Sequence, residues 1–168
     1  MKYLVVNESD EVIATKERGE LLPTDIVRVS ALWLTNSQGE VLLAKRAASK
    51  KYDASKWGPA VAGTVEEGES YEQNMVKEIQ EELGIEIAAS ALRPGPYHRS
   101  HGRNEYFSQW YFATVDLPIE SFTVEPKEVD ELRWVSPAWI AEKLASEPDL
   151  FIKTAPASWP KLLSFNLN

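Results

Sequence analysis

Cysteine is absent from the chain. That excludes disulfide staples, thiolate nucleophiles and thiolate metal sites, so any bound metal must take oxygen or imidazole ligands. Imidazole is itself scarce, with two histidines in 168 residues. Positive charge is in deficit: 18 Lys and Arg stand against 26 Asp and Glu, a net charge of −8. A surface that acidic argues against coating duplex DNA or another polyanion. No apolar run approaches a membrane span, and the opening MKYLVVNESDEV has neither a long apolar core nor a cleavage pattern. Together these absences predict a cytoplasmic protein with no membrane and no nucleic-acid partner. Internal repeats and low-complexity linkers are missing too, and 168 residues suit one domain with its own core.

What is present is organised around residues 63–85, GTVEEGESYEQNMVKEIQEELGI. Ser70 is a good N-cap, and Gln73 three residues later completes a capping box. Gly84 stands where a left-handed cap would stop a helix. At about 100° per residue, Met75, Val76, Ile79 and Leu83 form one apolar stripe, with Glu78, Glu81 and Glu82 clustered beside it. The spacing predicts a helix that docks by its apolar side and leaves a carboxylate edge along the seam. Three glutamates alone read more simply as a solvated helix face. The residues around them change that reading.

The stretch reads as G-x5-E-x7-K-E-I-x-E-E-x-G-I and resembles the Nudix box of the Nudix hydrolase family. Gly63, Glu69, Lys77, Glu78, Ile79, Glu81, Glu82, Gly84 and Ile85 stand where the family has Gly, Glu, Arg, Glu, an aliphatic, Glu-Glu, Gly and an aliphatic. Lys77 in place of Arg is the one departure. At roughly 6% per residue type, the six identical Gly and Glu matches are very unlikely by chance.

Elsewhere, residues 3–6 and 12–15 read as a hairpin about Asn7-Glu8-Ser9-Asp10, and 26–34 and 41–46 as longer strands. One short strand is expected over 57–62 and another over 85–88. Pro94-Gly95-Pro96 reads as a break. Residues 106–115 are apolar on both alternating faces, which implies helices above and below the sheet. A strand at 131–135 precedes a helix capped by Ser136, opened by Pro137 and ending near residue 145. Residues 151–165 hold a last short helix, interrupted by Pro156 and Pro160. The sum is an α/β fold, an α/β/α sandwich with a mixed β-sheet. It forms one domain over 1–168, with a hairpin extension at 1–25, the box at 63–85 and C-terminal helices at 136–168.

Two basic patches interrupt this acidic chain. Lys45, Arg46, Lys50, Lys51 and Lys56 put five positive charges into twelve residues against Asp53 alone. His98, Arg99, His101 and Arg103, around Gly102, form the second and hold both histidines.

The resemblance extends past the box. The strand ending in Lys45-Arg46, the Trp57-Gly58 approach, and Glu128-Val129-x-Glu131-x-x-Trp134-Val135 before a Pro-led helix are similar to Nudix features. The hairpin with Leu22-Pro23-Thr24-Asp25 is similar to the isopentenyl-diphosphate isomerase branch. The resemblance implies a pyrophosphohydrolase that cleaves a diphosphate bond in a nucleoside diphosphate derivative or another organic diphosphate. An isomerase of the same branch and a non-catalytic binding module are the alternatives. In the isomerases of this fold a cysteine supplies one of two opposed acid–base groups; this chain has none, and Pro59-Ala60-Val61-Ala62 offers no substitute.

The resemblance also implies a metal site. Glu78, Glu81, Glu82 and the carbonyl of Ala62 would hold Mg2+, with Mn2+ as the alternative ion. Gly63 would let the loop turn closely, and Lys77 would pin Glu69 and steady Glu81. The general base stays open among Glu78, Glu128 and Glu105. One of Lys45 and Arg46 faces the substrate by strand alternation. Trp57 either stacks on a base or fills the core, and His98, Arg99, His101 and Arg103 are candidate substrate contacts. Oligomeric state is open, a homodimer included.

Overall fold

The structure is a computed structural model that describes residues 1–101 and 103–165. Gly102 of the second basic patch, and residues 166–168 at the end of the expected C-terminal helices, lie outside the described residues. A hairpin comes first, β1 (Lys2–Val6) against β2 (Val12–Glu17). The centre of the sheet is β3 (Ile26–Thr35), buried along most of its length. On one edge it runs parallel to β8 (Glu105–Thr114), from Ile26↔Glu105 to Thr35↔Thr114. On the other edge it takes β1 and β6 (Val61–Thr64), and meets β4 (Val41–Arg46) at the single pair Thr35↔Val41. Past that pair β3 and β4 separate. Into the wedge between them go β5 (Trp57–Pro59), paired with β4, and β6, paired with β3.

The single strand expected over 57–62 is therefore two strands, with the chain changing partners at Ala60. Outside the wedge, β7 (Arg93–Ser100) lines the far edge of β8, and β9 (Val129–Val135) pairs with β4. Pro94-Gly95-Pro96, expected as a break, lies inside β7. An edge strand tolerates prolines because one row of its N–H groups has no ladder partner. The irregular register between Pro94 and Tyr97 absorbs the rest. A Cβ on Gly95 would come 2.3 Å from the Phe112 ring, so only glycine lets β7 lie flat there. The strand expected over 85–88 does not form. That segment is a loop whose Ile87 packs into the core without pairing.

Helices cover both faces. α1 (Tyr71–Leu83) has the expected ends: Ser70 Oγ accepts from the Gln73 N–H, the Gln73 side chain returns to the Ser70 N–H, and Gly84 adopts φ 67°. Its Met75, Ile79 and Leu83 are fully buried against Leu32, Leu34, Leu42 and Tyr111. Each such side chain contributes about 1.5–3 kcal/mol. The opposite face packs on α2 (Pro137–Ser146) and α3 (Ala155–Phe165). There Trp33 meets Trp159 edge-on at 5.1 Å, and Phe151 and Leu162 close the layer. Burial of these large rings outweighs a local cost. Among the described residues, the indole N–H groups of Trp33 and Trp159 have no acceptor, at about 1–3 kcal/mol each.

Contrary to expectation, Pro156 and Pro160 do not interrupt α3. Pro156 falls in its first turn, where no N–H is needed, and packing of Trp159 and Leu162 carries the helix past Pro160. The result is the expected α/β/α sandwich with a mixed sheet. Among the described residues no helix is long and apolar enough to cross a membrane.

Gly84 joins α1 to the loop behind it and gives a stability prediction. A Cβ there would sit 2.9 Å from the Thr123 Cβ, in a left-handed conformation. At Gly39, also left-handed, an added Cβ would meet nothing within 4 Å. Gly39→Ala should cost about 1 kcal/mol of backbone strain, and Gly84→Ala distinctly more, about 2–3 kcal/mol. Urea unfolding midpoints at constant m-value check the ranking; equal shifts would remove the role given to Thr123.

Candidate active site

Residues 74, 78 and 82 follow one another at helical spacing, so α1 lays Asn74, Glu78 and Glu82 in a line against β6. Gly63 makes the contact close. A Cβ there would fall 2.4 Å from the Glu78 Cδ and 2.6 Å from its Oε1. The expectation that Gly63 serves a tight turn is thereby corrected. It lies in strand β6 opposite Ser30, and the left-handed turn of this loop belongs to Gly68, at φ 86°. One turn on, Glu82 Oε2 accepts from the Ala62 N–H at 3.3 Å.

Burial dominates the electrostatics of both carboxylates. The Glu82 carboxyl is pushed up to about 8, first by desolvation and then by the charge of Glu78. Desolvation also raises Glu78; the Lys77 charge opposes the shift and Glu81 adds to it. Glu81 is exposed at the helix edge. A cleft of about 230 Å³ opens beside it, walled by Glu81, Glu82, Ala62, Arg46, Glu125 and Glu128 among others. Lys50 pairs with Glu128 at its rim. Among the described residues, no three carboxylates or imidazoles are drawn tightly enough together to form a ready metal cage.

The residues behind the carboxylates come from helix and loop together. Lys77 Nζ reaches Glu69 at 2.7 Å and Glu66 at 3.0 Å, and stands 3.9 Å from Glu78. Glu69 is the expected partner, but Glu66 takes the place foreseen for Glu81. Partial burial works against the ammonium, yet its hydrogen bonds to Glu69 and Glu66 prevail and hold its pKa above the usual lysine range. Asn74, fully buried, completes the arrangement. Its Nδ2 lies 3.0 Å from Glu69 Oε2, 3.3 Å from Glu78 Oε1 and 3.2 Å from the Thr64 carbonyl. Its Oδ1 accepts from Ser30 Oγ at 2.5 Å. Sequence reasoning passed over Asn74 and Glu125. For Asn74 the signal was a lone amide one turn before Glu78, on the carboxylate edge beside the apolar stripe.

The other candidates divide. Arg46 lines the cleft and its neighbour Lys45 does not, as alternation requires. Trp57 is not a stacking platform here: it is buried in the layer under α2 and α3, with the Arg133 guanidinium 4.8 Å above its ring. His98, Arg99, His101 and Arg103 line a second cavity, apart from the carboxylates. Glu105 is bound to Arg99 and His101 and does not wall the cleft.

Lysine is a point donor and cannot fork across two carboxylates. In this chain the Asn74 amide supplies the bond to Glu78 that Lys77 does not make. Asn74→Ala should therefore lower turnover at least about tenfold with Lys77 in place, but only about twofold in a Lys77→Arg background. Thermal unfolding should show a similar loss in both backgrounds. Equal turnover losses in the two backgrounds would mean that Asn74 acts on stability alone.

Comparison with known proteins gives the family. A family model described as the NUDIX domain matches residues 24–155. A protein of Listeria monocytogenes named as a Nudix hydrolase is 33% identical over 135 residues, 79% of this chain and 78% of that one. An isopentenyl-diphosphate Delta-isomerase of Aliivibrio fischeri is 28% identical over 174 residues, 97% and 96% of the two chains. The crystal structure of DR0079 from Deinococcus radiodurans superposes with a TM-score of 0.79 at 26% identity, covering 98% of each chain. With its box on α1 and the loop before it, and a family model matching well over half its length, the chain belongs to the Nudix hydrolase family.

Proposed function

We propose that this protein hydrolyses a diphosphate bond in a nucleoside diphosphate derivative or a related organic diphosphate, with a divalent cation held at the edge of α1. The observation that carries the reading is Glu82. It is a partly buried carboxylate with one N–H partner, one turn from a second partly buried carboxylate, at the wall of a cleft that also holds an arginine. Two like charges out of water destabilise each other unless something positive joins them. The donor set is all oxygen and suits a hard ion such as Mg2+, or Mn2+, which binds through a few carboxylates and keeps waters and substrate oxygens for its remaining positions.

Glu78, Glu81, Glu82 and the Ala62 carbonyl would hold it, and the bound ion would neutralise phosphate oxygens and acidify water. Arg46 meets the phosphate oxygens with paired N–H donors. Among the three carboxylates considered as general base, Glu128 is the one that lines the cleft; Glu78 is packed against Gly63 and Glu105 is bound to Arg99. Glu128 therefore takes the proton from the attacking water, with Lys50 positioning it.

Two readouts test the metal assignment. Glu82→Gln should lower turnover by on the order of a thousandfold, and Glu128→Gln by about 10²-fold or more with little change in KM. Stability gives the second. The folded pKa of Glu82 is raised from 4.5 to about 8, so the folded state holds this proton more tightly than the unfolded chain. Metal-free stability should thus fall as pH rises from about 4.5 through about 8. Added Mg2+ should reverse the fall, and Glu82→Gln should shrink both effects, leaving the part that Glu78 contributes. Full activity in EDTA, or a Glu82→Gln variant whose melting rises with Mg2+ as much as the parent's, would sink the assignment.

Similarity to isopentenyl-diphosphate isomerases along nearly the whole chain supports a second reading. Isomerisation needs an acid and a base on opposite faces of an allyl unit. The chain has no cysteine for one role, and Glu105, the candidate for the other, is engaged by Arg99 outside the cleft. Incubation with isopentenyl diphosphate and Mg2+ should yield no dimethylallyl diphosphate. Its catalytic formation, lost in Glu105→Gln, would overturn the hydrolase reading.

A further inference from the structure

A cavity of about 680 Å³ opens between β7, β8 and the first turns of α3, on the sheet face opposite α1. Its lining includes Lys153, Lys161, Arg103, His98 and Tyr106. Asp53 is the one carboxylate among its lining residues, and its Oδ1 already accepts from the Lys153 backbone N–H at 3.2 Å. Among the described residues neither Lys153 nor Lys161 forms an ion pair. Burial and then the Lys161 charge hold His98 below the usual histidine range. Two exposed lysines with no carboxylate partner among the described residues thus stand at the cavity, one of them close enough to His98 to act on its charge. In a chain of net charge −8, cations gathered around one concavity match a multiply charged oxyanion.

A ridge of consecutive residues separates the cavity from the carboxylate cleft. Ile152 lines the cleft and Lys153 lines the cavity. The Tyr52 carbonyl accepts from Arg46 Nε at 3.2 Å on the cleft side, and the Tyr52 ring lies 4.3 Å beneath the Arg103 guanidinium on the other. A diphosphate seated against Arg46 has one end beside this ridge. We propose that the cavity is an anion site that receives a phosphate monoester carried on the distal part of the diphosphate substrate. This rests on the hydrolase reading for the substrate, but the site itself does not require turnover.

Both histidines of the chain, His98 and His101, line the cavity, so their ring signals report on it without interference from other histidines. Inorganic phosphate, titrated into the full chain at fixed pH and ionic strength against a chloride control, should shift both signals saturably. Half-effect is expected on the order of millimolar. The double variant Lys153→Gln, Lys161→Gln should abolish the shift. Next comes equilibrium binding of two matched nucleotide pairs, each differing by one phosphate monoester: NADH against NADPH, and dephospho-coenzyme A against coenzyme A. The phosphorylated member of at least one pair should bind roughly tenfold more tightly, a margin worth one or two charge-assisted hydrogen bonds. That margin should vanish in the double variant. No phosphate shift beyond chloride, or one that survives in the variant, would overturn the site. Phosphate binding with equal affinities within both pairs would mean that the cavity takes free phosphate, and would overturn the substrate assignment. Failure of every diphosphate to be hydrolysed would count against the proposed function alone, because both readouts here are of binding.

Discussion

The structure depends on carboxylates pressed against a strand. Glu78 lies where a side chain on Gly63 would have to be, and Glu82 leans on the Ala62 N–H one turn later. Helix α1 brings them there because its adjacent stripe, Met75, Ile79 and Leu83, is fully buried in the same docking. Apolar packing thus supplies the free energy that holds two mutually repelling acids in a poorly solvated seam. The site is unstable in isolation and stable in context, which is the usual relation between a functional constellation and its scaffold.

Around that seam the protein builds a support that is mostly polar. Lys77 and Asn74 divide the task of holding Glu66, Glu69 and Glu78, and Ser30 fixes Asn74 from the central strand. The hairpin closes the loop from outside, since Tyr3 bridges to Glu66 and the Glu67 N–H donates to the Lys2 carbonyl. Asp10 adds a second clasp, accepting from Tyr71, Tyr97 and Arg28. What reads in sequence as an extension at 1–25 is therefore part of the wall behind the box.

Local chemistry was legible in the sequence, and choices of partner were not. Caps at Ser70 and Gly84 and the carboxylate edge of α1 depend on residues within a few positions of one another, so spacing revealed them. The change of partner at Ala60 depends on how far β3 and β4 separate, which no local pattern records. Pro94-Gly95-Pro96 could be read as a strand only by knowing that β7 is an edge. The basic residues separated for the same reason. Arg46 and Arg103 are alike in composition, and only the sheet decides that they line different hollows. Asn74 escaped notice because a single amide on a carboxylate edge looks incidental until its partners are in place.

The Asp10 clasp also carries a consequence for synthesis. Its hydrogen-bond partners are residues 28, 71 and 97, and the parallel pairing of β3 waits on β8, at residues 105–114. A ribosome adds about 5–20 residues per second. The hairpin therefore exists for seconds before the groups that fasten it have been made. Over that interval the N–H and C=O groups on the edge of β3 that will face β8 are unpaired, the kind of edge on which strands of another chain can pair. An enzyme whose chemistry is assembled in one short stretch is thus finished only when strands from both halves of the chain have met.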